Sequence, residues 1–421
     1  MATIAGTGPA THLSAALGTG APPIEIVETH PLETSLGLPD TKETRIVWLD
    51  LIEHTRTTLE LEQFYVSTEP GHALEPILDA IGRAAARGVS VRLLIDAGMH
   101  RVYPQPADSL GGIPGIEVRT IDYRRLAGGV QHSKVLIADR ATVFIGSQNF
   151  DWRALEHIHE LGTLIRDDRV AHAVGSIFDI DWRAAADTTF VPPATSARTS
   201  ARETRSEDSS PTIAIGLASG DTARVRLSAS PPSMLPDAMD PDRARLVELI
   251  DGADHELVAQ MLSYSVRSRG EVDSTLDRAL RRAAARGVQV RLLVSDWQAD
   301  SEERIRTVQS LAATSGIEVR LSVVAEHSGG YIPFARVEHC KFLVADSREV
   351  WIGTSNWGPD YFASTRNVGV TIEHSTLAGM VRRTFEKSWT APLVRSVEPD
   401  STYARRIHGE EPPDGHPLYH D

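Results

Sequence analysis

The chain repeats itself over a long distance, and this repeat limits its fold more than any other feature of the sequence. Residues 84–94 (AAARGVSVRLL) return as residues 283–293 (AAARGVQVRLL), and GIEVR at residues 115–119 returns at residues 316–320. In the first copy an amphipathic helical pattern ends at Gly88 and precedes a strand-like apolar run, an alternation typical of α/β layers. The 421 residues therefore predict two tandem α/β lobes, each large enough to bury its own core.

Local composition sets the boundaries of these lobes. Residues 1–40 are rich in Gly, Ala, Thr and Pro, and we expect a flexible N-terminal segment there. Residues 41–190 form the predicted first lobe and residues 212–397 the second. Between them, residues 191–211 (VPPATSARTSARETRSEDSSP) have little to bury and indicate an exposed linker. Residues 398–421 remain as a C-terminal tail.

A second repeat, inside the first, carries polar side chains. Each half contains a histidine, a lysine two residues later, an aspartate, a hydroxyl residue and an asparagine, at identical spacing. The two sets are His132, Lys134, Asp139, Ser147 and Asn149, and His339, Lys341, Asp346, Thr354 and Asn356. Each matching residue type has odds of roughly one in twenty by chance. The two copies are therefore expected to share one task.

The residue types in this motif indicate what that task is. In an extended strand the histidine and the lysine of each copy point to the same face. Two copies facing each other give two imidazoles, two ammonium groups and two amides around a small cavity, which suits a tetrahedral anion such as a phosphodiester. One neutral histidine can attack phosphorus while the other, protonated, donates to the leaving oxygen. This chemistry needs neither a metal ion nor a cofactor.

Composition narrows the classes of partner. The 43 basic and 57 acidic residues give a net charge of −14, which argues against broad electrostatic binding of duplex DNA. The one cysteine, Cys340, excludes an intrachain disulfide and a cysteine-rich metal site. There is no signal-peptide pattern and no run of ~20 apolar residues. We expect a cytoplasmic protein without integral membrane insertion, and leave secretion open as an alternative.

The paired H-x-K-x4-D-x6-G-[ST]-x-N motifs resemble those of the phospholipase D superfamily. Residues 146–153 (GSQNFDWR), 331–339 (YIPFARVEH) and 352–357 (IGTSNW) further resemble its branch of animal lysosomal phospholipase D-like five-prime exonucleases and poxvirus envelope phospholipase. The resemblance spans residues 24–397. It implies a pseudo-twofold sandwich of two lobes, with a metal-independent active site at their junction.

The resemblance also assigns roles to individual residues. Ser147 and Thr354 would support the phosphate pocket through their hydroxyls. Asp139 and Asp346 each follow a motif lysine by five residues, and strand alternation, rather than the resemblance, places them at strand ends where they would buttress the fold. The phosphate pocket itself would consist of His132, Lys134, Asn149, His339, Lys341 and Asn356.

Two further residues bear on which histidine attacks. Glu160 and Asn367 each follow a pocket asparagine by eleven residues, a position that the family uses to hold the catalytic imidazole. We therefore expect Glu160 behind His132 and Asn367 behind His339. A carboxylate behind His132 stabilises its imidazolium and favours His339 as the nucleophile. The habit of the superfamily, in which the N-terminal histidine attacks, favours the reverse, and the sequence leaves this open.

The remaining chemically suggestive residues have plainer interpretations. Cys340, in the middle of its motif, and Trp182 and Trp389, at helical spacing from a phenylalanine, are predicted to be core residues. Four aromatic residues beyond the pocket asparagines either stack on substrate or pack at the lobe junction: Phe150, Trp152, Trp357 and Tyr361. Five other histidines are expected to be structural: His157, His159, His172, His255 and His374.

The sequence thus predicts a phosphodiesterase that works through a phosphohistidine intermediate, with water giving hydrolysis and a primary alcohol giving transfer. The favoured substrate is single-stranded DNA or RNA, trimmed from its five-prime end. The alternative is a phospholipase D or transphosphatidylase acting on glycerophospholipids, and a remote alternative is an inactive phosphate-binding scaffold. The acidic charge slightly disfavours the nuclease, and the lack of an amphipathic anchor slightly disfavours the lipase.

Overall fold

A computed structural model describes residues 21–187, 189–190, 210–237 and 239–419. Within these residues the chain folds into two large mixed sheets, each flanked by helices. The prediction of a two-lobed α/β protein is therefore confirmed. Most of the predicted linker, residues 191–209, lies outside the described residues.

The first half of the described chain contains ten strands and seven helices. The strands are β1 (Ile24–Thr29), β2 (Lys42–Glu43), β3 (Thr58–Gln63), β4 (Val66–Ser67), β5 (Ser90–Asp96), β6 (Ile116–Ile121), β7 (Val135–Ala138), β8 (Thr142–Gly146), β9 (Phe150–Asp151) and β10 (Glu160–Arg166). The helices are α1 (Thr44–His54), α2 (Glu75–Ala86), α3 (Ala97–His100), α4 (Gln105–Gly111), α5 (Tyr123–Ala127), α6 (Trp152–Glu156) and α7 (Asp168–Ala186).

The second half, over its described part, contains twelve strands, five α-helices and two short 3-10 segments, Pro232–Met234 and Asp296–Asp300. The strands are β11 (Ile213–Gly216), β12 (Thr222–Ser230), β13 (Asp240–Pro241), β14 (Glu256–Met261), β15 (Arg267–Ser268), β16 (Glu271–Val272), β17 (Gln289–Ser295), β18 (Ile317–Ser322), β19 (Phe342–Ala345), β20 (Glu349–Gly353), β21 (Asn367–Glu373) and β22 (Arg395–Ser396). The helices are α8 (Asp242–Asp251), α9 (Thr275–Ala285), α10 (Glu302–Ala312), α11 (Pro359–Ala363) and α12 (Ser375–Trp389).

The strand order of the two sheets makes the repeat visible. The first sheet runs β2-β1-β10-β8-β7-β3-β5-β6, and the second runs β11-β12-β21-β20-β19-β14-β17-β18-β22, with β13 beside β12. In each sheet three parallel strands, β3-β5-β6 or β14-β17-β18, continue into an antiparallel set. The antiparallel strands β7 and β19 directly follow the histidine and lysine of the two polar motifs. The motifs therefore hold equivalent places in the two lobes.

The repeated AAARG segments explain one of these local similarities. In α2 the residues Ile77, Ile81 and Ala84 are buried, at the spacing of one helix face. The helix then gives way to Gly88 at φ +94°, and α9 gives way to Gly287 at φ +93°. Because glycine adopts this left-handed conformation without a Cβ penalty, both helices end at the same place before a buried strand.

One hydrophobic core crosses from lobe to lobe through α7 and α12. Phe178 and Trp182 of α7 stack at 5.4 Å between ring centroids, and Phe385 and Trp389 of α12 stack at 5.2 Å. An arginine guanidinium lies 4.2 Å from each tryptophan ring. Both tryptophans are core residues, as their spacing predicts, and they belong to one cluster with residues of both sheets.

The prediction that residues 1–40 form a flexible segment is wrong for part of this range. Residues 1–20 lie outside the described residues, but residues 24–29 form β1 rather than a flexible segment. All six residues of β1 are buried, and the strand pairs with β10 as β12 pairs with β21. The Gly- and Pro-rich composition of the surrounding segment concealed this strand, whose two faces both contact apolar clusters.

The C-terminal tail returns from the second lobe to the first. Leu418 forms a β-bridge with Tyr331, and the ring of Tyr419 lies 5.5 Å from that of His157. Among the described residues, no helix combines the length and the apolar character that crossing a bilayer requires.

Candidate active site

The two polar motifs meet at the junction of the lobes. Each histidine lies in an extended segment just before a strand, β7 or β19, rather than within the strand as the alternation argument assumed. The backbone N–H of His132 donates to the carbonyl of Arg366 at 2.9 Å, and that of His339 donates to the carbonyl of His159 at 2.9 Å. Each motif is therefore aligned by the other lobe, at the residue that precedes β21 or β10.

This exchange reverses the expected partners of the two histidines. His132 Nδ1 donates to Asn367 Oδ1 at 3.0 Å, and His339 Nδ1 donates to Glu160 Oε1 and Oε2, both at 2.8 Å. The sequence analysis placed Glu160 behind His132 and Asn367 behind His339, which is wrong. Spacing along the chain relates a residue to its own lobe, whereas docking brings each motif against the strand of the other lobe.

The hydrogen bonds around Asn367 fix the protonation of His132. Asn367 Nδ2 donates to the carbonyl of Tyr361 at 2.9 Å, and Thr354 Oγ1 donates to Asn367 Oδ1 at 2.9 Å. The amide oxygen therefore faces His132 and can only accept. In the neutral ring Nδ1 carries the proton, which leaves the lone pair on Nε2.

The two motif hydroxyls stabilise the strands that carry these partners. Thr354 Oγ1 accepts from the backbone N–H of Val368 at 3.1 Å. Ser147 Oγ accepts from the backbone N–H of Leu161 at 3.0 Å and donates to its carbonyl at 3.2 Å. The backbone of Thr354 also contacts the ring of His132, and that of Ser147 the ring of His339, so the support of each histidine comes from the opposite motif.

The two lysines are fully buried beside the histidines. Lys134 Nζ donates to the carbonyl of His132 at 2.8 Å, and Lys341 Nζ donates to that of His339 at 2.6 Å. Burial lowers the pKa of both ammonium groups, to about 8 for Lys341, and the charge of Lys341 lowers the pKa of Lys134 further. Two poorly hydrated cations side by side are stabilised by an anion placed between them.

The two histidines and the two lysines interact electrostatically across the lobe junction. Burial lowers the pKa of His132, and so do the charges of Lys134 and then Lys341; burial, Lys341 and then Lys134 lower the pKa of His339. Burial raises the pKa of Glu160, while the same two lysines oppose that rise. Because each imidazole is affected by the lysine of the other lobe, all four groups lie close together at the lobe junction.

The pocket asparagines have unsatisfied polar ends. Asn149 and Asn356 are 8% and 2% exposed, and within the described protein neither Oδ1 atom has a hydrogen-bond partner. Buried polar atoms without partners are rare in proteins. A ligand group or a water molecule that donates a hydrogen bond would satisfy these two amide oxygens.

The two motif aspartates lie away from the pocket, at hairpin turns. Asp139 accepts from the backbone N–H groups of residues 56–58 at 2.9, 2.7 and 3.0 Å, and Asp346 from those of residues 254–256 at 2.9, 2.8 and 2.9 Å. Partial burial raises the pKa of each carboxyl, but these donors outweigh it and the pKa is lowered. Both residues have φ +53°, a conformation that aspartate tolerates better than most side chains. Each aspartate therefore ties its hairpin to the loop before β3 or β14.

The sequence analysis missed a buried cation in each lobe. His159 contacts Glu338 at 2.7 Å through Nδ1 and Glu28 at 2.9 Å through Nε2, and Arg366 donates to Asp181 at 2.6 and 2.8 Å. Each cation directly precedes the residue that contacts the motif histidine of the other lobe. Their shared offset of 207 residues, the same as that of the two motifs, was the signal available in the sequence.

One buried cluster in the described part of the chain has the composition of a metal site. His159, Glu338 and Cys340 offer ligand atoms within 4.8 Å of one another. Both ring nitrogens of His159 already face carboxylates, however, so the ring has no lone pair left for a metal ion. Cys340 is a buried core residue, as the sequence predicts.

The aromatic residues near the motifs divide into two groups. Phe150 and Trp357 are 0% and 1% exposed and pack in the cores. The rings of Phe64 and Tyr361 lie 5.0 and 5.3 Å from that of His132, both edge-on. Trp152 lies in the wall of a separate cavity. Phe64 and Tyr361 therefore limit the rotation of His132.

Comparison with known proteins gives concordant results. A family model described as "Cardiolipin synthase, PLD-like domain" matches residues 48–182 and 246–389. "Phospholipase D Z" of Dictyostelium discoideum is 29% identical over 386 residues, covering 88% of this chain and 89% of that protein. "5'-3' exonuclease PLD3" of Homo sapiens is 30% identical over 392 residues, covering 86% and 77%. The crystal structure of a phosphatidylserine synthase from Haemophilus influenzae Rd KW20 shares the fold, with a TM-score of 0.58, 16% identity, and coverage of 84% of this chain and 85% of that chain.

Proposed function

This chain belongs to the phospholipase D superfamily of phosphodiesterases, and from that premise we propose that it removes nucleotides from the five-prime end of single-stranded nucleic acid. The observation that supports the chemistry is the exchange of partners, which brings two imidazoles and two lysines close together at the lobe junction. The nucleic-acid substrate is supported by the similarity to proteins named as five-prime exonucleases over most of both chains.

In the proposed first step, His132 Nε2 attacks phosphorus and the bond from phosphorus to the leaving oxygen breaks. His132 suits this role because the amide of Asn367 accepts from Nδ1 and leaves the Nε2 lone pair available. His339 Nε2 gives a proton to the leaving oxygen. The carboxyl of Glu160 suits His339 to this role, because it stabilises an imidazolium and the pair holds one transferable proton.

Four other side chains hold the phosphoryl group during this step. Lys134 and Lys341 offset the negative charge of the non-bridging oxygens, and the Nδ2 groups of Asn149 and Asn356 donate hydrogen bonds to the same oxygens. In the second step His339 takes a proton from water, the water attacks phosphorus, and the bond between phosphorus and His132 Nε2 breaks. A primary alcohol in place of water gives transfer rather than hydrolysis.

A parallel assay tests the substrate class. The protein receives a five-prime-hydroxyl single-stranded DNA and phosphatidylcholine vesicles in separate reactions, both with EDTA. We expect stepwise loss of nucleotides from the DNA and no choline release. Choline release without DNA cleavage would overturn the proposal in favour of a phospholipase D, an activity that the name of the Dictyostelium relative supports. No turnover of either substrate, nor of bis-p-nitrophenyl phosphate, would leave only the scaffold.

A further inference from the structure

A cavity of about 410 Å³ lies beside the first motif, outside the phosphate pocket. Tyr103, Trp152 and Arg153 line it on the first-lobe side, and Tyr419 of the C-terminal tail contributes to its wall. Two carboxylates, Glu69 and Glu410, lie at its exposed edge. A cavity of this size accommodates a planar heterocycle.

A series of ring contacts connects this cavity to the pocket. The ring of Phe64 lies 5.0 Å from that of His132 and 5.3 Å from Lys134 Nζ. Phe64 lies 5.5 Å from Tyr65, and Tyr65 lies 5.3 Å from Tyr103. Tyr103 in the cavity wall is thus linked to His132 by three successive ring contacts, and a nucleotide whose phosphate lies beside His132 would have to extend past these rings to place its base in the cavity.

The lining favours a nucleobase over an acyl chain. Tyr103 offers a partly exposed aromatic ring, Trp152 contributes a ring that packs on His72 with 4.0 Å between centroids, and the Arg153 guanidinium is fixed by Asp151, with Nη2 to Oδ2 at 2.9 Å. Rings and a planar guanidinium stack on any base. The two carboxylates accept from the N–H groups of base edges. An acyl chain in the same place would remove water from charged groups without satisfying them.

The pocket at the corresponding place in the described part of the second lobe is much smaller. Beyond Asn356, a pocket lined by Tyr264 and Trp357 holds about 10 Å³, at the lower limit for one water molecule. Those two rings lie 6.2 Å apart and contribute to the filling of the site. The catalytic pocket is nearly symmetric, whereas a nucleic-acid strand has a direction, so this difference between lobes is suited to orient the strand.

We infer that the cavity lined by Tyr103, Trp152 and Arg153 binds a base of the single-stranded substrate next to the scissile phosphate and so sets the direction of the strand. This inference rests on the proposed function and specifies the part of the substrate that is recognised away from the phosphorus atom.

The test compares Tyr103→Ala with Tyr103→Phe, using Tyr403→Ala as a matched control because Tyr403 is another partly buried tyrosine, on the second lobe. Substrates are a five-prime-hydroxyl oligonucleotide, the same oligonucleotide with abasic sites at its two terminal positions, and bis-p-nitrophenyl phosphate. For Tyr103→Ala we expect kcat/KM to fall on the order of tenfold more on the oligonucleotide than on bis-p-nitrophenyl phosphate. Tyr103→Phe retains the ring and should stay within about twofold of wild type, as should Tyr403→Ala.

The abasic substrate isolates stacking. Wild type should cleave it about as slowly as Tyr103→Ala cleaves the intact oligonucleotide, and Tyr103→Ala should not distinguish the two substrates. Equal losses for Tyr103→Ala on all three substrates would overturn the inference while leaving the nuclease function intact. If wild type cleaves bis-p-nitrophenyl phosphate but no oligonucleotide, the proposed function fails, and this inference fails with it.

Discussion

In the proposed mechanism two similar imidazoles take different roles because a different residue lies behind each of them. His132 faces the amide of Asn367, and His339 faces the carboxylate of Glu160. The reasoning applied to the sequence, that a carboxylate favours the protonated ring, still holds, but the exchange of partners transfers it from one histidine to the other. The electrostatic argument now agrees with the superfamily habit, in which the N-terminal histidine attacks.

The charge of Lys341 should set an alkaline limit to phosphodiester binding. Burial lowers its pKa to about 8, so the ammonium is charged below that pH and neutral above it. We expect the Kd of bis-p-nitrophenyl phosphate for the inactive His132→Ala protein to rise about tenfold per pH unit above pH 8. Adding Lys341→Arg, whose charge persists, should remove the contribution of Lys341 and make this rise less steep. Calorimetry between pH 6 and about 10 measures this Kd. A Kd that does not change with pH in the His132→Ala protein that retains Lys341 would contradict the pKa assigned to Lys341.

Glu62 should make the folded state sensitive to pH. Burial, with the nearby charge of Asp181, raises its pKa from 4.5 to about 8. Between these values the folded chain keeps a proton that the unfolded chain has lost, so the free energy of unfolding falls as pH rises from 4.5 to 8. The register of the second sheet places Gln260 at the equivalent position.

We therefore expect Glu62→Gln to unfold at a higher temperature than wild type at pH 8, with little difference near pH 4.5. The glutamine can keep the hydrogen bond from Ser133 and cannot ionise. Thermal unfolding followed by circular dichroism at the two pH values measures this. A difference of equal size at both would show that Glu62 contributes through packing rather than through its proton.

At the scale of elements, the motif aspartates illustrate how a short pattern serves the fold. Each combines a left-handed turn residue with an acceptor for three backbone N–H groups. Asp139→Ala and Asp346→Ala should each cost about 1–3 kcal/mol in free energy of unfolding, because three backbone N–H groups lose a charged acceptor and the turn becomes strained.

The asparagine variants separate these two effects. Asn tolerates positive φ and retains one acceptor oxygen, so Asp139→Asn should cost less than Asp139→Ala. Urea unfolding measures the free energies, and kcat of the folded variants should remain within about threefold of wild type if the hairpin position is kept. If Asp139→Asn were as stable as wild type but lost kcat to the same extent as His132→Ala, Asp139 would take part in the reaction itself.

What the sequence could predict follows from what its patterns encode. Duplicated AAARG segments and motif spacings specify local elements, so the alternation of helices and strands and the pairing of His132 with Lys134 near one pocket were accessible. The partner of each histidine was not, because it depends on how two surfaces dock. β1 was missed because its six residues lie in a segment of loop-like composition, and the two carboxylates that pair with the structural His159 were not accessible because they are distant in sequence.

At the scale of the whole molecule, the lobes share more than an active site. A single apolar cluster contains residues of both sheets together with α7 and α12, and the Arg366–Asp181 pair crosses between the lobes with both side chains fully buried. Each lobe thus completes the interior of the other. The two lobes share this interior but differ in the size of the cavities beside their motifs.

This sharing predicts one unfolding transition rather than two. In urea, far-UV circular dichroism, tryptophan fluorescence and the loss of phosphodiesterase activity should give the same midpoint, because neither lobe can lose its structure without exposing the common core. Two resolved transitions, or loss of activity at a midpoint well below that of the secondary structure, would indicate lobes that fold separately.

The most direct test of the shared site is the reaction of His339→Ala with bis-p-nitrophenyl phosphate. Its leaving group departs without a proton, so the first step can proceed, but no imidazole remains to activate water. We predict a burst of one p-nitrophenolate per protein molecule with little turnover, and base-quenched peptide mapping should find the phosphoryl adduct on His132. Turnover at the wild-type rate in this variant, or a burst that persists in His132→Ala, would contradict the account.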